Sequence, residues 1–394
     1  MLVVLLSLVL AVAAETSVQP APIQTTQITA DYSDYLTGQV NPTPAVDENQ
    51  DPVMNLSDDE MDAMQREIDA MPVYSAPSSS PLISRGSLSL LPDLPYVPKE
   101  RSQRQCSDCW VWSSTGAIEI EHTIKSGIRD RLSIQYLNDN YGNGPQGQDS
   151  GCCPGSVGSF VKWYRNNTHA MIVVPWSNSN AAFAAHQSCN SPMPASGAIP
   201  LQPSYKLADL SASTVSTFGV EKIAAINNIK SALNNGLPVL YAFNYNTDDM
   251  KTFKSWWHNQ PETAVFDPSR FASDGGGAAH LTLIVGYDDI TDPKNPYWLV
   301  VNSWGAPPNR PDGTFRISMN MNYNAPVSGK QKANVVQQQS FHIIDASFAD
   351  SGQNVSPVLP SPESTPRLDL GILPVFCAIC MSGVLLVRKR REQK

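Results

Sequence analysis

The sequence predicts an α+β fold for residues 91–348, because helical patterns come first in this part of the chain and strand patterns follow. Two stretches have helical character, namely 110–125, which Gly127 ends, and 227–236. Four later stretches are rich in β-branched and aromatic residues and predict short strands: LPVLYAF, HLTLIVGY, YWLVVNSW and GTFRIS. The composition agrees with a folded domain, since 41% of the 394 residues are hydrophobic and 16% are charged.

Residues 15–90, which precede this domain, are acidic and contain one short helical pattern. They hold 12 acidic and two basic side chains, so they account for the net charge of −9 and leave the rest of the chain close to neutral. Ser57 and Glu60 form the pattern of a capping box, and the apolar residues that follow share one helical face. We expect a short amphipathic helix that needs a partner surface, followed by an exposed and cleavable linker. No basic patch occurs, so nucleic-acid binding is not expected.

Both ends of the chain carry uncharged apolar runs. Residues 1–14 end in small side chains, which is typical of a secretory signal peptide. Residues 370–387 form a run of 18 without a charge, and the basic tail 388–394 follows at once, which is typical of a single transmembrane helix with a cytoplasmic tail. The Pro/Ser-rich residues 349–369 would form a stalk. We expect a single-pass type I membrane protein whose body lies in the secretory, lysosomal or vacuolar lumen or at the cell surface. N-glycosylation motifs occur at Asn55, Asn166 and Asn354.

The number of cysteines suggests a free thiol. Of the seven cysteines, Cys377 and Cys380 lie in the C-terminal apolar run. Those of the predicted exported body are Cys106, Cys109, Cys152, Cys153 and Cys189. Exported proteins oxidise their cysteines in pairs, so an odd number leaves at least one thiol unpaired or bonded to another chain. A free thiol in an oxidising compartment is a liability unless it has a use, which suggests a nucleophile.

The stretch CSDCW at residues 106–110 is open to three interpretations. A C-x-x-C pair can be a redox dithiol, half of a metal site, or two sulfurs with unrelated roles. A thioredoxin-like site would require a preceding tryptophan and a following βαβ pattern, and the sequence has neither. A zinc site would leave unexplained the His and Asn residues described next. We therefore expect no metal and no cofactor.

A set of Cys, His and Asn residues gives the strongest indication of chemistry. Cys109 lies where a helix is predicted to begin, and the positive end of a helix dipole stabilises a thiolate. His280 opens a predicted strand after a run of glycines, and Asn302 ends the next strand. In such a set the imidazole accepts the thiol proton, and the Asn carbonyl oxygen holds the ring in its productive tautomer. Gln103, together with the Cys109 backbone N–H, is a candidate donor to a developing oxyanion.

Four segments resemble, in order, the papain-like cysteine proteases of the cathepsin type. They are QRQCSDCWVWSS, GCCPGS, AHLTLIVGYDD and YWLVVNSWG…DGTFRIS, and they span most of residues 95–320. The resemblance implies a two-lobed fold, with a helical left lobe, a β-barrel-like right lobe and the site in the cleft between them. It implies hydrolysis of peptide and protein substrates through a thioester. The implied catalytic residues are the nucleophile Cys109, the base and acid His280, the orienting Asn302 and the oxyanion donor Gln103.

The resemblance also assigns the cysteines, the inhibitor and the substrate contacts. It implies a bridge between Cys106 and Cys152, and we infer that the remaining pair, Cys153 and Cys189, is bridged as well. The segment NLSDDEMDAM is similar to the C-terminal part of the family's inhibitory propeptide, so we expect a zymogen that is cut near residues 76–92. The expected substrate-binding residues are Gly155, Ser156, Ala278, Ala279 and Trp304.

The sequence departs from the family pattern in four respects. Ser107 replaces a glycine beside the nucleophile, and Asp108 introduces a carboxylate that would raise the pKa of the thiol. The family's second tryptophan after NSWG is absent, which is expected to weaken the leaving-group side of the cleft. The distance from Cys109 to His280 is 171 residues in sequence, so insertions are expected near 178–215 and 246–275.

Two other functions remain open at this point. A catalytically inactive relative could serve as a binding or adhesion module at a membrane, which the altered cleft would fit. A membrane thiol oxidoreductase would use the C-x-x-C pair itself. Retention of all four implied catalytic residues favours a cysteine endopeptidase.

Overall fold

The computed structural model describes residues 51–76, 85–141, 151–166, 171–184, 198–271, 276–327 and 335–349. The predicted signal peptide, most of the stalk, the transmembrane segment, the basic tail, Cys189 and Asn354 lie outside these ranges, so the statements about them stay predictions. Within the described ranges, no helix is both long enough and apolar enough to cross a membrane.

The described residues contain six α-helices, and one of them holds the predicted nucleophile. The helices are α1 (Asp58–Ala70), α2 (Cys109–Ser126), α3 (Ile134–Asn140), α4 (Val157–Asn166), α5 (Lys222–Asn234) and α6 (Thr247–Asn259). The sequence predicted α2 to within one residue at each end, and Gly127 ends it with a φ of 68°. It predicted α5 to begin five residues too late, and it missed α3, α4 and α6 as helices.

The strands come mainly from the second half of the described chain. They are β1 (Met54–Asn55), β2 (Ser87–Ser89), β3 (Ile172–Val173), β4 (Tyr205–Thr214), β5 (Val239–Tyr245), β6 (Val265–Phe266), β7 (Ala278–Asp288), β8 (Tyr297–Val301), β9 (Thr314–Ser318) and β10 (Gln339–Phe348). The sequence predicted β5, β7, β8 and β9. It missed β4 and β10, whose polar side chains interrupt the apolar pattern.

The described strands hydrogen-bond in the series β3-β4-β10-β5-β7-β8-β9-β6. All neighbours in the series are antiparallel except β6 and β9. The long strand β7 also pairs with β1 and β2, two short strands from the segment that precedes the predicted domain. This long strand carries His280, so β1 and β2 pair with the strand that holds the predicted base.

Helix α2 lies between the helical part of the molecule and the sheet. It contacts β7 and β10 on one side and α3 and α4 on the other. Its residues from Cys109 to His122 are buried all round, as expected for a helix in the middle of a core. The Ser113 hydroxyl donates to the Leu281 carbonyl oxygen at 2.8 Å, which fixes the start of α2 beside β7.

Candidate active site

Cys109 is the first residue of α2, and it is a free and fully buried thiol. The first amide groups of a helix have no partners within the helix and favour negative charge at that end. Cys106, three residues earlier, is bridged to Cys152 with their Cα atoms 4.7 Å apart, in agreement with the implied pairing. The two sulfurs of the C-x-x-C stretch therefore differ, one being bridged and the other free. Cys153 is also disulfide-bonded, but its predicted partner, Cys189, lies outside the described residues.

His280 is fixed by its partner Asn302. The His280 Nε2 atom lies 2.8 Å from Asn302 Oδ1, and among the described residues its Nδ1 atom has no hydrogen-bond partner. A neutral imidazole carries one ring proton, and a carbonyl oxygen can only accept. The contact therefore places the proton on Nε2 and leaves Nδ1 as a base. Trp304 stacks on the His280 ring with centroids 4.4 Å apart and shields the pair.

The thiol and the imidazole come together through neighbouring positions on α2 and β7. The backbone of Leu281, the residue after His280, lowers the pKa of the Cys109 thiol, and its carbonyl oxygen accepts from the Ser113 hydroxyl of α2. Cys109, His280 and Asn302 are each at most 2% exposed. The structure thus brings the three predicted residues into one buried cluster, although the Nδ1 atom of His280 is not hydrogen-bonded to the thiol.

Gln103 lies at the same cluster, held in a fixed orientation. Its Oε1 atom accepts from the Ser303 hydroxyl, and its Nε2 atom donates to the Cys106 carbonyl oxygen at 2.6 Å. The same Nε2 atom donates to the carbonyl oxygen of Pro52 at 3.3 Å. A backbone carbonyl from the preceding segment therefore occupies the position where a substrate carbonyl would meet this donor.

Residues 51–56 cover the whole cluster. The Pro52 carbonyl oxygen also accepts from Trp304 Nε1 at 3.1 Å, and the Val53 carbonyl oxygen accepts from the Ser107 hydroxyl at 3.0 Å. The next two residues, 54 and 55, form β1 and pair with Ala279 and Ala278 of β7. The predicted substrate-binding residues Ala278, Ala279 and Trp304 thus all contact this segment. Peptide backbone already fills the cleft.

Burial under this segment keeps the reacting groups neutral. Burial raises the pKa of the Cys109 thiol to about 12, against the hydrogen bond from the Leu281 backbone, and the nearby Asp108 raises it further. Burial lowers the pKa of His280 to about 3, against the hydrogen bond to Asn302. A thiol and a neutral imidazole are therefore the resting forms in the covered site, not a thiolate–imidazolium pair.

Comparison with known proteins identifies the family. The family described as papain family cysteine protease matches residues 93–338, which is more than half of the chain. The chain belongs to the papain family of cysteine proteases. Cathepsin L of Sarcophaga peregrina is 26% identical over 210 residues, 52% of this chain and 51% of that protein. Cathepsin L2 of Homo sapiens is 26% identical over 235 residues, 59% of this chain and 60% of that protein.

The chain spans 48% to 66% of the length of the curated relatives that it matches. Among solved structures, digestive procathepsin L 3 of Tenebrio molitor has a TM-score of 0.47 and 18% identity, with 79% of this chain and 86% of that chain covered. The proform of the ragweed pollen allergen Amb a 11 has a TM-score of 0.49 and 14% identity, with 77% of each chain covered.

On one side of the cluster lies an apolar pocket, which α1 lines together with the sheet and the start of α4. Met61, a buried residue of α1, projects into it, and the Asn244 amide donates to the Met61 sulfur at 2.9 Å. Ser57 and Glu60 form the predicted capping box at the start of α1. The residues that line the pocket from the sheet and from the start of α4 include Ser156, Val157, Ala242, Ala279, Leu281 and His342.

Two of the predicted substrate-binding residues have other contacts in this structure. Gly155 packs directly on the Trp110 ring, since a Cβ atom there would lie 2.4 Å from Trp110 Cε2. Ser156 contacts the Glu67 carboxylate of α1 through its hydroxyl group. A Cβ atom at Gly158 would lie 1.9 Å from Glu67 Oε1, so α1 docks closely against the start of α4.

On the other side of the cluster, α6 supplies aromatic residues that the sequence analysis missed. Trp257 meets Trp304 edge to face with centroids 5.8 Å apart, and Phe253 contacts the same ring at 5.7 Å. The buried Arg310 guanidinium lies over the rings of Trp256 and Trp257 and donates to the Trp257 carbonyl oxygen at 2.7 Å. Aromatic rings of α6 thus contact Trp304 in this structure, and the effect of the missing second tryptophan on the leaving-group side stays a prediction. The SWW stretch at 255–257 was the available signal.

Asp108 raises the pKa of the Cys109 thiol as predicted, but its own pKa is also raised. It is fully buried, and its Oδ2 atom accepts from the Asn138 amide at 2.7 Å. Burial raises the pKa of Asp108 to about 8, against that hydrogen bond, so the group is mainly a neutral acid at acidic and neutral pH. Its effect on the Cys109 thiol is therefore confined to alkaline conditions.

Two remaining predictions concern metals and glycans. No group of three or more His, Cys, Asp or Glu side chains suited to a metal occurs within the described ranges. Asn55 and Asn166 are exposed, although Asn55 lies in β1 and pairs with Ala278. Whether any of these asparagines carries a glycan stays a prediction.

Proposed function

We propose that this papain-family chain is a cysteine endopeptidase that is made as a zymogen. The arrangement of Cys109, His280 and Asn302 carries the proposal. The thiol is free at a helix N-terminus, and the imidazole is held by Asn302 with its Nδ1 atom left as a base. Family membership supports the reaction class, because these residues also stand in the segments by which the chain resembles the family.

The reaction would proceed by acyl transfer. The His280 Nδ1 atom takes the thiol proton, and the Cys109 sulfur attacks the scissile carbonyl carbon. Gln103 Nε2 and the Cys109 backbone N–H donate to the oxyanion that forms. His280 then returns the proton to the departing amine, leaving a thioester. Water, deprotonated by His280, attacks the thioester, which releases the acid product and restores the thiol.

Residues 51–70 would be the inhibitory segment. Pro52 occupies the Gln103 donor, β1 occupies the edge of β7, and Met61 closes one wall of the apolar pocket. Removing this segment readmits water and substrate. Since burial is the main cause of both pKa shifts, the pKa of Cys109 would then fall and that of His280 would rise.

Labelling and hydrolysis together test the proposal. The full-length chain is matured with pepsin at acidic pH, treated with a thiol-alkylating epoxide, and assayed with a panel of fluorogenic peptides. We expect hydrolysis that one equivalent of epoxide abolishes, and neither labelling nor hydrolysis in Cys109→Ala. A matured chain that stays unlabelled and inactive, with the Cys106–Cys152 bridge intact, would instead favour the inactive binding module.

A further inference from the structure

Helix α6 presents two basic side chains towards the cleft on the Trp304 side of Gln103. Lys254 and His258 are four residues apart on α6, so they lie on the same helix face. Phe253 and Trp257 of the same helix contact the Trp304 ring, which stacks on His280, so this part of α6 lies beside the reacting residues. In addition to burial, the positive charge of Lys254 contributes to the lowered pKa of His280. The region lies within the stretch 246–275 that the sequence analysis treated as an insertion.

In the covered structure, His258 already holds a carboxylate. Its Nε2 atom contacts Asp51 Oδ2, and the Asp51 side chain is only 2% exposed, against 26% for His258. A carboxylate is buried in this way only when it has a partner, because an unpaired buried charge is strongly disfavoured. The contact is therefore a formed site that encloses the acidic group.

The position of Asp51 relates this site to the reacting centre. Asp51 directly precedes Pro52, whose carbonyl oxygen lies between Gln103 Nε2 and Trp304 Nε1. The residues after Pro52 follow β7 towards the apolar pocket, whereas Asp51 lies on the opposite side with Trp304 and α6. That side is the leaving-group part of the cleft, the part to which the resemblance assigns the segment after Trp304.

We propose that in the matured enzyme His258, with Lys254 beside it, binds an acidic side chain of the substrate on the leaving-group side of the scissile bond. The inference rests on the proposed function and adds a substrate class to it: peptides with Asp or Glu at the first or second position after the cleaved bond. An imidazole N–H donates to a carboxylate whether or not the ring is charged. A carboxylate accepts more strongly than the matching amide, so Asn and Gln peptides are the natural comparison.

Matched peptide pairs test the inference by hydrolysis. The full-length chain is matured with pepsin and given quenched fluorescent peptides that differ only by Asp against Asn at the first or second leaving-group position. We expect kcat/KM to be about tenfold higher for the Asp peptide at one of these positions, the factor expected for one charge-assisted hydrogen bond. His258→Ala should remove the preference, and His258→Gln, which keeps an N–H donor, should retain part of it. Lys251→Ala removes an exposed charge from the same helix and should retain all of it.

A binding measurement separates this inference from the proposed function. Cys109→Ala, matured with pepsin, is titrated with the same labelled peptides, and binding is followed by fluorescence anisotropy. If no peptide is hydrolysed by the wild-type chain, the proposed function fails, but tighter binding of the Asp peptide that is lost in the Cys109→Ala/His258→Ala double variant still supports the carboxylate site. Equal hydrolysis and equal binding of the Asp and Asn peptides, or a preference that survives His258→Ala, would overturn it.

Discussion

The two sides of the cleft differ in how they are built. The apolar side is formed by β5, β7, β10 and the start of α4, and Met61 of the covering segment lines it from the opposite wall. The Trp304 side is formed by α6 and the loop around Arg310, and it combines aromatic rings with basic groups. The first side follows segments that resemble the papain family, whereas the second lies in a stretch where the sequence analysis expected an insertion. On this second side, Trp257 and Trp304 meet although they are about 50 positions apart in sequence.

The largest effect is expected on the Trp304 side. Trp257→Ala removes a fully buried ring that contacts Trp304 and lies beneath Arg310. We expect a loss of about 3–5 kcal/mol in the free energy of unfolding, because a cavity of that size does not close. Urea unfolding of the full-length chain measures it. Trp257→Phe, which keeps an aromatic contact, should lose much less, and equal losses for the two variants would show that the aromatic contact is unimportant.

On the apolar side, a smaller change should release the covering segment. Met61→Ala removes most of a buried side chain that packs α1 against the pocket wall and Asn244, and we expect α1 to dock less tightly by about 2 kcal/mol. The variant should mature faster than the wild-type chain at the same pH, as followed by gel electrophoresis over time. Arg66→Ala changes an exposed residue of the same helix and should mature at the wild-type rate. Slower maturation of Met61→Ala would contradict an anchoring role for this side chain.

A third test compares polar and apolar anchoring on the same side. Glu67→Gln weakens the contact with Ser156 at the start of α4. We expect α1 to dock less tightly by about 1 kcal/mol as a result. The maturation rate of this variant should lie between the rates of the wild-type chain and Met61→Ala in the same assay. If Glu67→Gln matures faster than Met61→Ala, the polar contact dominates, and the apolar pocket is the lesser anchor.

The smallest expected effect is a change of stability with pH, which arises from buried acidic side chains below the cleft. Burial raises the pKa values of Asp108, Glu119 and Glu121 to about 8, 7 and 8, so the unfolded state ionises first as pH rises. The stability that these groups give is present below the unfolded pKa of ~4 and is lost as pH rises to the folded values. The buried histidines 122, 280 and 342, whose pKa values are lowered, oppose this trend only below their unfolded pKa of ~6.5.

The melting temperature of the full-length chain should therefore fall between pH 6.5 and pH 8. The side chain in Asp108→Asn cannot ionise. Over the same pH range, this variant should therefore lose about 1 kcal/mol less of its free energy of unfolding than the wild-type chain, and its melting temperature should fall less. Differential scanning calorimetry at the two pH values measures both effects. A slope that is the same in Asp108→Asn and wild type would show that Asp108 does not titrate in this range.

The sequence by itself determined the α+β class, helix α2, the strands that carry His280 and Asn302, and the capping box of α1. These features are local, because 3.6-residue and two-residue periods, a stop glycine and a capping pair act within one turn or one strand. The odd number of cysteines pointed to a free thiol, and the resemblance assigned it to Cys109.

Only the tertiary structure decided which groups face one another across the cleft. The contact between His258 and Asp51, the rings of α6 against Trp304, and the burial that makes Asp108 a neutral acid all join residues far apart in sequence. No local pattern encodes such contacts, since they depend on how helices and strands pack. Desolvation likewise depends on the surrounding chain, so neither the identity of a residue nor that of its sequence neighbours fixes its charge.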